Sequence, residues 1–271
     1  MFGSPNTSRT RLLISLQMAK RFSIEGRVAC VTGASSGIGR AIATCFVEAG
    51  ANVVGVARRA DALESWQAET SAIGAGNSAG VIGDLSSPEV ARDLAPRLAE
   101  PFGAPDILVN AAGLNTRQAA DDVTLEGWQA TLDLNLSTPF FLAQALVPAM
   151  KKKGWGRILN IASLQSERAF PGSISYGASK GGISQLTRAM AEAWSPFGIT
   201  ANALAPGFFP TELTAAVFGD EERAARNAAQ TCIGRNGEME DLLGPALFFA
   251  SPASSYVTGQ ILFVDGGFTA K

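Results

Sequence analysis

Seven short apolar runs recur along this chain, at residues 28–31, 52–57, 79–83, 107–110, 157–162, 199–204 and 260–264. Helix-length segments separate most of them, at 37–49, 61–70, 88–99, 124–150 and 175–194. That alternation constrains the fold more than any other feature. A strand followed by a helix and another strand needs a crossover, and crossovers join parallel strands. Runs that are apolar throughout have both faces covered. Local punctuation agrees. Pro88 stands in the first turn of one helix, where its missing N–H costs nothing, and Gly50 follows another as a C-cap. The expectation is an α/β fold with a doubly wound, parallel sheet in a single domain.

Composition removes several functions. Among 271 residues there is no histidine. A Ser-His-Asp or Cys-His mechanism is therefore impossible, and the commonest transition-metal ligand is missing. Gly33, Ser35 and Gly37 match the Gly-x-Ser-x-Gly nucleophile elbow, but with no histidine base the match carries no hydrolase. No metal site is expected. Cys30, Cys45 and Cys232 have no paired spacing, which fits a reducing compartment, and a cytoplasmic location is expected. A net charge of −2 points neither to nucleic acid nor to an anionic membrane. No apolar run approaches the ~18–20 residues that span a bilayer. Residues 1–24 carry Arg9, Arg11, Lys20 and Arg21 with no acid before Glu25. They are read as a surface extension preceding a domain at 25–271, with organelle targeting as the alternative.

Two groups of residues carry chemistry. The first is the glycine turn Gly33, Ser35, Ser36, Gly37, Ile38, Gly39, which follows the first strand and opens the first helix. Glycines there allow a tight turn and bring backbone N–H groups up to a pyrophosphate at a helix N-terminus. The spacing is Gly-x-x-x-Gly-x-Gly. An acid at the end of the second strand would select NAD through its ribose hydroxyl. Here Arg58 and Arg59 stand instead, and arginine forms forked bonds to a 2′-phosphate. NADP(H) is the expected cofactor, ahead of NAD(H). The second group is Tyr176 and Lys180, four apart on a helix and so on one face, with Ser163 thirteen residues upstream. An ammonium beside a phenol favours the phenolate, and Ser163 is placed to bond a substrate oxygen. Such a set moves a proton on and off an alcohol or ketone oxygen.

With these motifs in order, the chain resembles the short-chain dehydrogenase/reductase family from about residue 22 to residue 267. The resemblance rests on the glycine turn, Asp84, Asn110 to Gly113, Asn135, Ser163, Tyr176 with Lys180, and Pro206 with Gly207. It implies a Rossmann-type seven-stranded parallel sheet, a nicotinamide cofactor and a homotetramer. It implies roles as well. Tyr176 is the proton donor or base. Lys180 lowers its pKa and holds the nicotinamide ribose. Ser163 orients the substrate oxygen, and Asn135 holds a water leading to Lys180. Asp84 and Leu85 meet the adenine, and Asn110, Ala111 and Gly113 line its ribose and brace the sheet. Pro206, Gly207 and Thr211 reach the nicotinamide end.

Residues 206–235 are irregular, follow the sixth strand and are read as a substrate lid, because ligands in open α/β sheets bind at the carboxyl ends of the strands. The run Pro206-Gly-Phe-Phe-Pro-Thr211-Glu212 resembles the lid of gluconate and polyol dehydrogenases. The alternative is a 3-oxoacyl-(acyl-carrier-protein) reductase, which docks an acidic carrier on two basic patches. Lys151 to Lys153 offer one, but Glu192 stands where an arginine is expected in the other. A small carbonyl or alcohol compound is therefore the expected substrate. Gln165, Arg168, Phe170 and Phe208 are candidate pocket residues, with Arg168 placed to pair with a sugar-acid carboxylate and Phe209 to anchor the lid. A non-catalytic dinucleotide-binding module is the reading from another class, and retention of both Tyr176 and Lys180 speaks against it.

Overall fold

The computed structural model describes residues 19–271. Most of the predicted N-terminal extension lies outside the described residues. Ile24 is fully buried, and Phe22 lies against Phe248 with ring centres 6.5 Å apart.

Seven strands form one parallel sheet in the order β3-β2-β1-β4-β5-β6-β7. They are β1 Val28–Thr32, β2 Asn52–Ala57, β3 Asn77–Ile82, β4 Ile107–Asn110, β5 Gly156–Ile161, β6 Ile199–Pro206 and β7 Ile261–Val264. The helices are α1 Gly37–Glu48, α2 Ala60–Ser71, α3 Pro88–Leu98, α4 Leu125–Leu132, α5 Thr138–Lys153, α6 Ile174–Trp194, α7 Ala215–Phe218, α8 Glu221–Gln230 and α9 Met239–Ala250. This is a Rossmann-type doubly wound sheet, as expected.

Alternate strand residues serve opposite faces. Ala29 and Val31 pack with Ile42 and Phe46 of α1, Trp66 of α2 and Phe249 of α9. Cys30, Val54 and Val56 pack with Leu94 of α3, Leu146 and Met150 of α5, and Met190 of α6. Cys30 is thus a buried small hydrophobe, its thiol pushed up to about 12 by burial.

Two departures from the expected elements have local causes. The helix expected over 124–150 is split. Between α4 and α5 residues 133–137 form a π turn, in which Thr138 donates to the Asp133 carbonyl five residues back. Pro139 has no N–H to give the Asn135 carbonyl, so a regular helix cannot run through. The second departure is α9, which no apolar period announces: Gly244 and Pro245 interrupt it, yet it packs along α1.

Strand order reverses between β1 and β4, since β1 pairs with both β2 and β4. A cleft opens above the carboxyl ends of the strands at that point.

Candidate functional site

The cleft encloses about 560 Å³. Its floor is the turn between β1 and α1. Gly33 and Gly37 have φ of 72° and 54°, in the left-handed region open to glycine. A Cβ on Gly39 would lie 2.4 Å from the Gly33 carbonyl oxygen. Only glycine lets this turn fold so tightly, and Ser36 at its end makes no side-chain cap, leaving the first N–H groups of α1 facing the cleft. The turn is braced from below by Thr32, whose Oγ1 accepts from the Ala111 and Ala112 amides at 3.0 and 3.1 Å. This is a cradle that fits a dinucleotide pyrophosphate.

Ser35, Ser36, Ile38, Arg58, Asp84, Leu85, Ala111 and Gly113 all line the same cleft, as do Pro206, Gly207 and Thr211 from the far side. Asn110 does not. It is buried and donates to Asn160 Oδ1 at 2.8 Å, tying β4 to β5. It braces the sheet, one of the two roles expected of it, and the other is corrected: its side chain does not line the ribose site.

Ser163, Gln165, Tyr176 and Lys180 converge on the opposite wall. Ser163 ends β5 and its Oγ accepts from the Gln165 amide at 3.1 Å. Tyr176 and Lys180 occupy one face of α6. Lys180 Nζ donates to the Ile161 carbonyl at 2.6 Å and lies 5.5 Å from the centre of the Tyr176 ring. Burial disfavours the charged form of each. It lowers the Lys180 ammonium to about 8. It raises the Tyr176 phenol, against a smaller downward pull from the Ser163 hydroxyl and the Arg117 charge. The expectation that Lys180 draws the phenol down is therefore not met in this arrangement, because desolvation dominates and the ammonium is turned to Ile161.

Asn135 is buried outside the cleft wall. Its side chain accepts from the Leu114 amide and donates to the Leu114 carbonyl, both at 2.8 Å, and donates to Ser179 at 3.0 Å. Both side-chain amide protons are used by protein, so the side chain positions the loop after β4, and the backbone carbonyl, to which Pro139 has no N–H to give, is the group open to a water.

Phe170 and Phe208 line the cleft, and Phe268 completes a triangle with ring centres 5.7 to 6.2 Å apart. Phe209 is almost fully buried and packs over Gly237. Arg168 is not in the cleft. It borders a neighbouring hollow and donates to the Lys271 and Thr269 carbonyls at 3.0 and 3.5 Å, because the 3-10 turn Leu164–Ser166 carries the chain away from Tyr176.

A further cation in the cleft, Arg117, is not among the residues expected from the sequence. It lines the cleft, donates to the Leu213 carbonyl, and is the one non-glycine residue among those described with positive φ, 52°. Its position in the loop after β4, at the carboxyl end of the sheet, is the signal that would have pointed to it. Asn115, Ser173, Glu212 and Leu213 also line the cleft unforeseen.

A parallel sheet of this order, a glycine cradle and a Ser-Tyr-Lys wall define a nicotinamide-dependent oxidoreductase. A family model described as enoyl-(acyl carrier protein) reductase matches residues 33–269. The chain belongs to the short-chain dehydrogenase/reductase family and is an oxidoreductase acting on CH–OH groups. It is 40% identical over 250 residues to the gluconate 5-dehydrogenase of Gluconobacter oxydans, covering 92% of this chain and 97% of that protein. It is 37% identical over 245 residues to the 3-oxoacyl-(acyl-carrier-protein) reductase of Vibrio cholerae, covering 90% and 98%. Among solved structures, a gluconate 5-dehydrogenase from Burkholderia cenocepacia in complex with NADP and tartrate superimposes with a TM-score of 0.87 at 38% identity, covering 94% of this chain and 99% of that one.

Proposed function

We propose that this protein interconverts a keto group and a secondary alcohol on a small sugar acid, with NADP(H) as cofactor. The observation that carries the substrate class is Arg117, a cation lining the same cleft as Tyr176. A substrate whose oxygen meets Tyr176 brings a carboxylate within reach of that guanidinium. The names of the gluconate 5-dehydrogenase relatives support the same class.

The cofactor, when bound, supplies or accepts the hydride. This chain's residues do the rest. The glycine turn and the first N–H groups of α1 hold the pyrophosphate, and Arg58 and Arg59 hold the 2′-phosphate. Ser163 donates to the substrate oxygen. Tyr176, neutral at pH 7, gives that oxygen its proton in reduction and takes it back in oxidation. Lys180 binds the ribose once its ammonium leaves Ile161. The segment 206–235 closes over the substrate, and Phe170, Phe208 and Phe268 exclude water from it. We further propose a homotetramer and a single domain over 25–271.

The carrier-protein reading has less support. Lys153 is engaged by Asp106 at 2.7 Å, Lys151 stacks on Phe197, and Glu192 is exposed.

Following NADPH absorbance with 5-ketogluconate and with a short 3-oxoacyl thioester tests the reading. The keto acid is expected to turn over and the thioester not. Tyr176→Phe should lower turnover by roughly 10²–10⁴-fold. Arg117→Gln should raise KM for the keto acid about tenfold or more and leave a neutral ketose unaffected. Turnover of the thioester alone overturns the sugar-acid reading.

A further inference from the structure

Glu212, on the lid, reaches 153 residues back in sequence to Arg59. The contact is two-pronged, with Arg59 Nη1 and Nη2 at 2.9 and 3.2 Å from the two carboxylate oxygens. The same Nη2 donates to Ser35 Oγ of the glycine turn at 3.2 Å. Arg59 thus reaches across the cleft mouth. Arg58 beside it makes no ion pair among the described residues.

The carboxylate is held by the site as well as by the arginine. Its pKa is lowered, first by the Arg59 hydrogen bond and also by one from Ser36. On its own side Glu212 is fixed in a 3-10 turn, Glu212–Thr214, closed by a reciprocal cap between Thr211 and Thr214. Thr211 in turn touches the position of a Cβ on Gly37. A carboxylate from the lid therefore sits where the end of β2 and the glycine turn meet. A guanidinium fork binds carboxylate and phosphate oxygens with the same geometry.

We propose that Glu212 is an internal occupant of the 2′-phosphate subsite, competing with NADP(H) for Arg59. This rests on the NADP(H) reading above. A 2′-phosphate must displace the carboxylate, whereas a ribose with a free hydroxyl does not. Glu212 thereby lowers affinity for the phosphorylated cofactor selectively.

The test is calorimetric titration of the full chain at low salt with adenosine 2′,5′-bisphosphate and with AMP, which need no turnover. Wild type, Glu212→Gln, Arg59→Gln and the double variant are compared. Both side chains are about half or more exposed, and exposed pairs are weak. Glu212→Gln should therefore tighten the bisphosphate about two- to fivefold and leave AMP unchanged. The gain should vanish when Arg59 is also glutamine. Glu212→Ala should change affinity in the same direction. No gain, an equal gain for AMP, or a gain that persists without Arg59 overturns the proposal. A wild-type protein with no preference for the bisphosphate removes the NADP(H) reading, and the proposal with it. A wild-type preference without a gain in Glu212→Gln removes the proposal alone.

Discussion

Tyr176 and Lys180 share one face of α6, and burial acts on them in opposite directions. The phenol is raised and the ammonium is lowered to about 8. The first shift has a kinetic consequence. Reduction needs neutral Tyr176, so its rate should be flat near pH 7 and fall only in the alkaline range. Oxidation needs the phenolate and should climb with pH. Initial rates in both directions from pH 6 to 10 check this, and an oxidation optimum at or below neutrality would contradict it. The second shift has a thermodynamic consequence. A lysine held below its unfolded value of 10.5 is destabilising while charged. That cost is complete below about pH 8 and fades as pH rises towards 10.5. Lys180→Met should therefore stabilise the protein at pH 7, by on the order of 3 kcal/mol, while abolishing turnover. The stability gain should shrink between pH 8 and 10.5. Urea unfolding across that range reads it, and a variant less stable than wild type at pH 7 refutes the argument.

Elements carry a different kind of information. The π turn between α4 and α5 exists because Pro139 cannot complete the helix, and it turns Asn135 inward onto Leu114 and Ser179. Asn135→Ala would leave the half-buried Leu114 amide and carbonyl unpaired, at about 1–3 kcal/mol each if water does not reach them. It should lower the unfolding free energy and loosen the loop that bears Arg117, raising KM for a charged substrate more than for a neutral one. An unchanged stability would mean that water replaces the side chain. In β2, Gly55 lies under Trp66, where a Cβ would come within 2.7 Å of the indole. Trp66 is fully buried and its Nε1 donates to Thr44 at 3.2 Å. Trp66→Ala should cost about 3–5 kcal/mol in the same unfolding experiment. A loss below 1 kcal/mol would mean the two packed layers collapse around the gap.

At the scale of the molecule, large apolar side chains remain uncovered. Tyr256 is fully exposed, Leu125 nearly so, and Leu262 is open on the edge strand β7. They suit contacts between copies of this chain, and light scattering of the purified protein is expected to give four times the chain mass. A monomer would refute the homotetramer. The strand-helix alternation, the glycine turn and the Ser163, Tyr176 and Lys180 set were all legible in the sequence, because each depends on local spacing. Apolar runs determine strands, positive φ demands glycine, and residues four apart share a helix face whatever surrounds them. What the sequence could not decide were contacts between distant segments. Arg168 and Arg117 are equally loop arginines in the chain, yet only the second lines the cleft that holds Tyr176. Arg58 and Arg59 are adjacent, yet only the second grips a lid residue 153 positions away. Whether Lys180 would draw down the phenol or merely share its burial also depended on depth and on the Ile161 carbonyl. Local geometry is written in neighbouring residues; burial, and which charge meets which, exist only once the chain has closed on itself.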